Sequence, residues 1–293
     1  MDMIKSMTGF GLATNNFVNA KYTVEIKSLN SKFLELSLKL PKAFSDKELF
    51  VRSECSKQIE RGKVVVTVTA EYAENQVKAA SINKGLLKLY YNQLKSAADE
   101  LGDKPDNLLQ LALNFPEVIQ YDDDIISDEE WKQVLRTFEE ALVSFQTFRK
   151  DEGEILRLDL LLRINNILQL MRQVEIHEPN RIPMIRERLN QLLHDYIGKE
   201  NVDQNRFEQE LIFYIDKLDI TEEKIRLKSH CDYFLEALKS PDANGKKLGF
   251  ISQEIGREIN TMGSKANDAQ IQQIVVGMKE ELEKIKEQLL NVL

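Results

Sequence analysis

Residues 245–268, GKKLGFISQEIGREINTMGSKAND, hold the densest set of side chains able to do chemistry. On a helix, positions four apart share a face, so Glu254 and Glu258 project side by side. Arg257, Thr261 and Lys265 extend that polar stripe, and Leu248, Ile251, Ile255, Ile259 and Met262 form an apolar stripe beside it. Gly256 and Gly263 mark a third face, one that something can approach closely. Two carboxylates flanked by cations suit a hard divalent ion such as Mg²⁺ or Mn²⁺, which takes oxygen ligands and keeps several waters. Such an ion lowers the pKa of a bound water and stabilises charge on a scissile phosphate. Arg257, with its bidentate fork, and Lys265 would hold the flanking phosphates. A solvated helix face carrying a Glu–Arg pair has the same pattern, and spacing alone favours that plainer reading.

A second constellation is Asp216, Asp219, Glu223, Arg226 and His230, which share one face if a single helix runs through them. His230 can serve there as a metal ligand or as a general acid or base near neutral pH. Glu223 is a further candidate metal ligand, and Arg226 a phosphate contact. Asp219-Ile220-Thr221-Glu222 also reads as a capping box. If a new helix starts there, Asp216 leaves the face and only Glu223, Arg226 and His230 remain aligned.

Lys246 and Lys247 follow the Gly245 turn, where a helix N-terminus adds donors and positive charge for a phosphate; a solvated loop is the alternative. Near the N-terminus, Gly9-Phe10-Gly11 offers either an aromatic face to a base or a bulge with a core phenylalanine, and packing is the expectation for Phe10. Asn30 and Lys32 lie in the expected hairpin loop and are the better candidates for contact with a ligand. There is no Walker loop, no GxGxxG after a strand and no GxSxG.

These groups must be positioned by a chain of 293 residues, 42% hydrophobic and 30% charged, as expected for a globular protein with a real core. No run approaches the roughly 18 apolar residues of a membrane helix. The N-terminus lacks an apolar signal core, and Cys55 and Cys231 are too few and too far apart for a disulfide framework. The expectation is a cytoplasmic protein that touches no membrane. A net charge of −8 argues mildly against nucleic acid, but residues 224–265 hold eight lysines and arginines to five acids.

Period-2 alternation runs through Met7–Ala13, Tyr22–Ser28, Phe33–Leu40 and Lys63–Tyr72, with Leu29–Lys32 as a hairpin loop. Ser45–Glu48 reads as a capping box opening a helix to Arg61-Gly62. This predicts an N-terminal β-β-β-α-β domain over residues 1–80. Helical periodicity then continues, punctuated by prolines, and Asp128–Met171 suits one or two helices. The expected divisions are a helical middle region over 81–205 and a C-terminal helical domain over 206–293. The whole is α+β, mainly helical. Ile271, Val275, Met278, Leu282, Ile285, Leu289 and Val292 form a heptad-like seam on the last helix, whose partner lies either in this chain or in another subunit.

GREINTMGSKAND preceded by GKKLGF, together with MIKSMTGFG, EIKSLNSKFLEL and DKLDITEEKIRLKSH, resembles the signature of the YicC/YloC family of bacterial proteins. The blocks occur in family order and bracket nearly the whole chain. His230 is the only histidine inside one of them. The resemblance implies a metal-dependent endoribonuclease acting on single-stranded RNA, linked to small-RNA turnover and to other RNA-decay proteins, and assembled as a homo-oligomer, with a hexamer suggested. It raises Glu254 and Glu258 to preferred ligands and catalytic residues, with Glu223 and His230 in support. A non-catalytic adaptor that presents RNA to another nuclease is the alternative. Such an adaptor needs the cations but not the acid pair.

Overall fold

The computed structural model describes residues 4–18, 20–72, 81–103, 105–120, 127–198, 203–240 and 245–293. β1 (Gly9–Phe17) and β2 (Ala20–Leu29) pair antiparallel, from Gly9 opposite Ser28 to Phe17 opposite Ala20. β3 (Leu34–Lys39) does not pair with β2. Instead β4 (Gly62–Tyr72) lies between them, antiparallel to β2 and parallel to β3, giving the order β1-β2-β4-β3. The hairpin expected around Leu29–Lys32 is therefore not formed. Strand β4 contributes the fully inward Val64, Val66 and Val68, whereas Leu34, Leu36 and Leu38 of β3 are only half-buried, so the more apolar strand takes the central place.

One face of this sheet is covered by α1 (Glu48–Gln58) and by the first part of α4 (Asp128–Ile197). Tyr22, Val24 and Ile26 of the sheet meet Phe44, Val51, Phe138 and Phe145 there. The capping box at Ser45–Glu48 is absent. A 3₁₀ turn over Lys42–Lys47 occupies those positions, and the Ser45 hydroxyl bonds back to the Lys42 carbonyl. A small satellite holds α2 (Lys84–Leu101) and α3 (Leu108–Leu113), with the two-residue strands β5 (Ser81–Ile82) and β6 (Ile119–Gln120) paired at its base.

α4 is one helix of 70 residues that runs through Pro179 and Pro183, about 105 Å at 1.5 Å per residue. Both prolines are solvent-exposed, so the carbonyls they leave without a donor sit on the wet side of the helix. Past the sheet, α4 enters a bundle with α5 (Gln204–Leu218), α6 (Thr221–Lys239), α7 (Gly245–Ala266) and α8 (Ala269–Leu289). Leu160, Ile164, Ile167 and Met171 of α4 share one core with residues of α6, α7 and α8, so the 81–205 and 206–293 segments are packed together. The α8 seam from Ile271 to Leu289 is buried inside this chain, against α4 and α7. The glycine face of α7 is what α8 approaches: a Cβ on Gly256 would stand 3.1 Å from Leu282, and one on Gly263 3.0 Å from Val275. No described helix is long and apolar enough to cross a membrane.

Candidate functional site

The helix does break at Asp219. Helix α5 ends at Leu218, and Asp219 Oδ1 accepts from the Thr221 amide at 3.1 Å and its hydroxyl at 2.7 Å. The Thr221 bonds hold the Asp219 carboxyl below the usual aspartate range. Asp216 is thereby off the α6 face, and Glu223, Arg226 and His230 remain on it.

Glu223 lies in the first turn of α6 and is only 5% exposed. Its Oε1 accepts from Lys265 Nζ, in the last turn of α7, at 2.8 Å. The acid sits at a helix N-terminus and the lysine at a C-terminus, where each helix dipole favours it. This bond holds the Lys265 ammonium above the usual lysine range. It also makes α6 and α7 an antiparallel pair. The other Glu223 oxygen is buried with no hydrogen-bond partner. α4 ties both helices down from behind. Lys224 is paired with Glu178, and the guanidinium of Arg181, 4% exposed, donates to the carbonyls of Leu218 and Ala266 that end α5 and α7. Arg181, Glu178 and Lys224 were not anticipated. Arg181 lies between two prolines that read as punctuation, and its partners are carbonyls, which leave no mark in a sequence.

Glu254 and Glu258 occupy consecutive turns of α7 but differ in environment. Glu254 is half-exposed and paired with Arg257 at 2.7 Å, as the plain solvated reading expects. Glu258 is 9% exposed, and among the described residues no hydrogen bond or ion pair engages its carboxylate. It lies two turns before Lys265, on the side of α7 that faces α6. His230 is half-buried on α6, and Arg226 is exposed and paired with Glu222. Among the described residues, no three His, Cys, Asp or Glu side chains gather closely enough to hold a metal by themselves.

The remaining expected contacts lie elsewhere. Lys246 is exposed at the start of α7, and Lys247 Nζ stands 5.6 Å from the Tyr233 ring centroid. Lys246 and Lys265 are about 28 Å apart along the helix axis. The Asn30 side-chain amide donates to the Leu290 carbonyl at 2.6 Å, tying the loop after β2 to the end of the bundle. Lys32 stands over the exposed Phe33 ring at 5.5 Å. Around them, Met7 N bonds to Asn291 O at 2.8 Å, Arg61 Nη2 to Val292 O at 2.8 Å, and Gly245 N to Leu293 O at 3.4 Å. The structure thus gathers Glu223 with Lys265 and Glu254 with Arg257. It places Asn30, Lys32, Lys246 and Lys247 around a second junction at the opposite end of α7.

Phe10 is not a core residue. It is 37% exposed with Lys27 over its ring, because the glycines on either side face inward. A Cβ on Gly9 would lie 2.4 Å from Phe145, and one on Gly11 2.2 Å from the Ala141 carbonyl, so these glycines let β1 lie flat on α4. They mark no bulge, since β1 and β2 pair without interruption.

Fold and site together define an α+β, mainly helical protein whose chemistry-bearing side chains ride on an antiparallel pair of helices. Residues 4–158 match the family described as Endoribonuclease YicC-like, N-terminal region, and residues 174–293 match Endoribonuclease YicC-like, C-terminal. The chain is 30% identical over 296 residues to a probable endoribonuclease YicC of Clostridioides difficile (strain 630), covering 99% of this chain and 100% of the relative. It is 31% identical over 293 residues, again 99% and 100%, to a protein of the same name from Haemophilus influenzae. The chain belongs to the YicC-like endoribonuclease family. The two matched regions meet within α4, the helix shared by sheet and bundle.

Proposed function

We propose that this protein is an endoribonuclease that cleaves single-stranded RNA with the help of a divalent cation, Mg²⁺ or Mn²⁺, on the α6–α7 pair. The observation that carries this reading is unmet carboxylate valence. Glu223 keeps a buried oxygen unsatisfied, while Glu258, at the border of burial, has a water-accessible carboxylate that no hydrogen bond or ion pair among the described residues engages. Burying such groups costs stability unless something binds them. The donor set fits an ion that takes one or two carboxylates and completes its shell with water and substrate phosphate, as Mg²⁺ does. Glu258 would be the first ligand and Glu254, one turn away, would join it by releasing Arg257, while Glu223, held at Lys265 two turns beyond Glu258, would not share that ion. When bound, the ion supplies a more acidic water and stabilises charge on the phosphate.

The chain's own residues do the rest. Arg257, once freed, and Lys265 would hold phosphate oxygens. His230, half-buried on α6, would exchange a proton with the attacking or leaving oxygen. Arg226, Lys246 and Lys247, with Asn30 and Lys32 at the far junction, would guide the strand. The apolar stripe Phe148, Ile155, Leu158 and Leu162 on the outer side of α4, 41–62% exposed and spaced by seven, three and four, supports a homo-oligomer. Small-RNA turnover in the cytoplasm, beside other RNA-decay proteins, is the setting this activity fits.

The test is cleavage of a labelled single-stranded RNA in Mn²⁺, Mg²⁺ or EDTA by the wild type and by a folded Glu254→Gln/Glu258→Gln variant. Metal-dependent cleavage lost in the variant is expected. Binding without cleavage under every condition would favour the RNA-presenting adaptor. A cyclic phosphate on the product would replace attack by metal-bound water with attack by the RNA 2′-hydroxyl.

A further inference from the structure

The turn between α7 and α8 and the end of α5 wall one side of a cavity of about 480 Å³ against the last third of α4. Its size is within the range of small-ligand sites. Arg181 and Arg188, two helical turns apart on α4, line it together with Tyr214, Asn267 and Asp268. Arg181 is buried, and among the described residues it has no acidic partner and its Nε makes no hydrogen bond. Arg188 is exposed, and among the described residues no acid pairs with it. Its neighbour Arg186, outside the cavity, is paired with Glu208. The lining acid, Asp268, has Oδ1 committed to the Gln270 and Ile271 amides at 2.9 Å, where it caps α8. Positive charge therefore prevails in the hollow. Tyr214 adds a ring 40% exposed, and Asn267 is held in the left-handed region at φ 43° and has an amide able both to donate and to accept. A second hollow of about 660 Å³, mostly apolar, continues past Leu189 and Tyr214 along α5.

We infer that this cavity is a nucleotide subsite, which takes a phosphate of the RNA strand between Arg181 and Arg188 and stacks the adjoining base on Tyr214. The inference rests on the ribonuclease reading above and extends it. Its position is what a continuous strand requires: the carbonyls that Arg181 holds belong to Leu218 and Ala266, one residue from Asp219 and Lys265. A phosphate here would sit beside the Glu223–Lys265 pair, about 12 Å along α7 from Glu258. Arginine suits the task because its fork meets phosphate oxygens and it stays charged. Base stacking on an aromatic ring tolerates any sequence.

The test uses the full-length protein in EDTA and a 3′-labelled oligouridylate of about twelve nucleotides, within the site sizes of single-strand binders, with either a 5′-hydroxyl or a 5′-phosphate. Affinity is read by anisotropy across a salt series. Arg188→Ala is expected to weaken binding about fivefold to tenfold and to flatten the slope of log K against log salt by about 0.7, the loss of one phosphate contact on a single strand. Tyr214→Ala is expected to lose about fivefold or more, with Tyr214→Phe retaining affinity. Arg186→Ala, which removes the same charge outside the cavity, is expected to bind as wild type. An equal loss for both oligonucleotides assigns the subsite to an internal phosphodiester. A loss confined to the 5′-phosphorylated one assigns it to a strand end. If Arg188→Ala and Tyr214→Ala bind as wild type while the wild type binds and cleaves RNA, the subsite is refuted and the ribonuclease reading stands. If the wild type neither binds nor cleaves RNA, both fall.

Discussion

Breaking the Glu223–Lys265 bond should be strongly asymmetric. In Lys265→Met, the Glu223 carboxylate, 5% exposed, loses its one partner, while its other oxygen already has none. An uncompensated charge of that kind costs about 3–5 kcal/mol when fully sealed. The Lys265 side chain is 34% exposed, so water can follow into the space it leaves. A loss of about 2–3 kcal/mol is therefore expected. In Glu223→Gln, the ammonium left behind is partly in water and can rehydrate, and the neutral amide no longer buries a charge, so the loss should be about 1 kcal/mol or less. The double variant should lose less than the sum of the two, because removing the acid removes the reason the lysine mattered.

Urea unfolding of the three variants reads these differences directly. At a few degrees per kcal/mol, thermal midpoints should separate the singles by roughly 5 °C. Equal losses for the two singles, or strict additivity in the double, would refute the reasoning. The pH dependence has a definite sign. Lys265 is raised in the folded state, so its contribution is fully present below the ordinary lysine pKa, near 10.4, and is lost as pH rises through the higher folded value. The gap between wild type and Glu223→Gln should thus stay flat through neutral pH and close only in strong alkali.

Three further outcomes follow from single contacts. Glu258→Gln should keep stability within about 0.5 kcal/mol of wild type, because its water-accessible carboxylate has no partner among the described residues to lose, and should lose RNA cleavage; thermal melts beside a gel assay check both, and a loss of about 1 kcal/mol or more would reveal a partner for the carboxylate. Gly153→Ala would ordinarily gain up to about 1 kcal/mol in a helix, but a Cβ there would stand 1.9 Å from the Ile4 carbonyl. It should release the N-terminal segment from α4, seen as faster limited proteolysis near residue 5, and unchanged proteolysis would contradict the packing. Asn30→Ala removes the 2.6 Å bond to Leu290 and should cost about 1 kcal/mol, with faster amide exchange in residues 290–293; unchanged exchange would show that the bond does not hold that segment.

What could be read in the sequence was whatever depends on neighbours along the chain. Period-2 alternation located four strands because each turns one face to α1 and α4. Their order was hidden, since inserting β4 between β2 and β3 depends on which strand is most apolar, not on loop length. The break at Asp219 was visible as capping chemistry, but α4 runs on through Pro179 and Pro183 because their solvent-facing positions make the lost hydrogen bonds inexpensive. The α8 seam was legible as a packing stripe, yet its spacing could not say that the partner is α4 and α7 of the same chain. Within the site, Glu258 and Glu254 looked equivalent. Burial separates them: Glu258 lies at the edge of the apolar stripe of Ile255, Ile259 and Met262, against α6, while Glu254 pairs with Arg257 in solvent. The pairing of Glu223 with Lys265 joins two helices and has no sequence signature at all.

The same distinction separates architecture from chemistry among the signature blocks. In the N-terminal blocks, the polar and glycine positions have their partners: Gly9 and Gly11 admit α4, Ser28 Oγ bonds to Met7 O, Arg149 Nε bonds to Ser6 O, and Asn30 bonds to Leu290 O, although Arg149 Nη2 on α4 is buried without a partner. A group whose hydrogen bonds are met inside the fold has a structural reason to be there. On α6 and α7 it is carboxylates that are left over, an orphaned buried oxygen at Glu223 and a water-accessible group at Glu258 that nothing among the described residues engages. Natural sequences keep such local violations mainly where a ligand must be met, because folding alone would select against them. By that argument, the proposed cleavage is expected on the α6–α7 pair. The N-terminal junction, where Lys32 and Lys246 flank satisfied bonds, is expected to hold a strand and not to cut it. Substitutions at Lys32 or Lys246 should therefore raise the RNA concentration needed for half-maximal rate and leave the maximal rate unchanged. A fall in the maximal rate alone would place chemistry at the wrong end of α7.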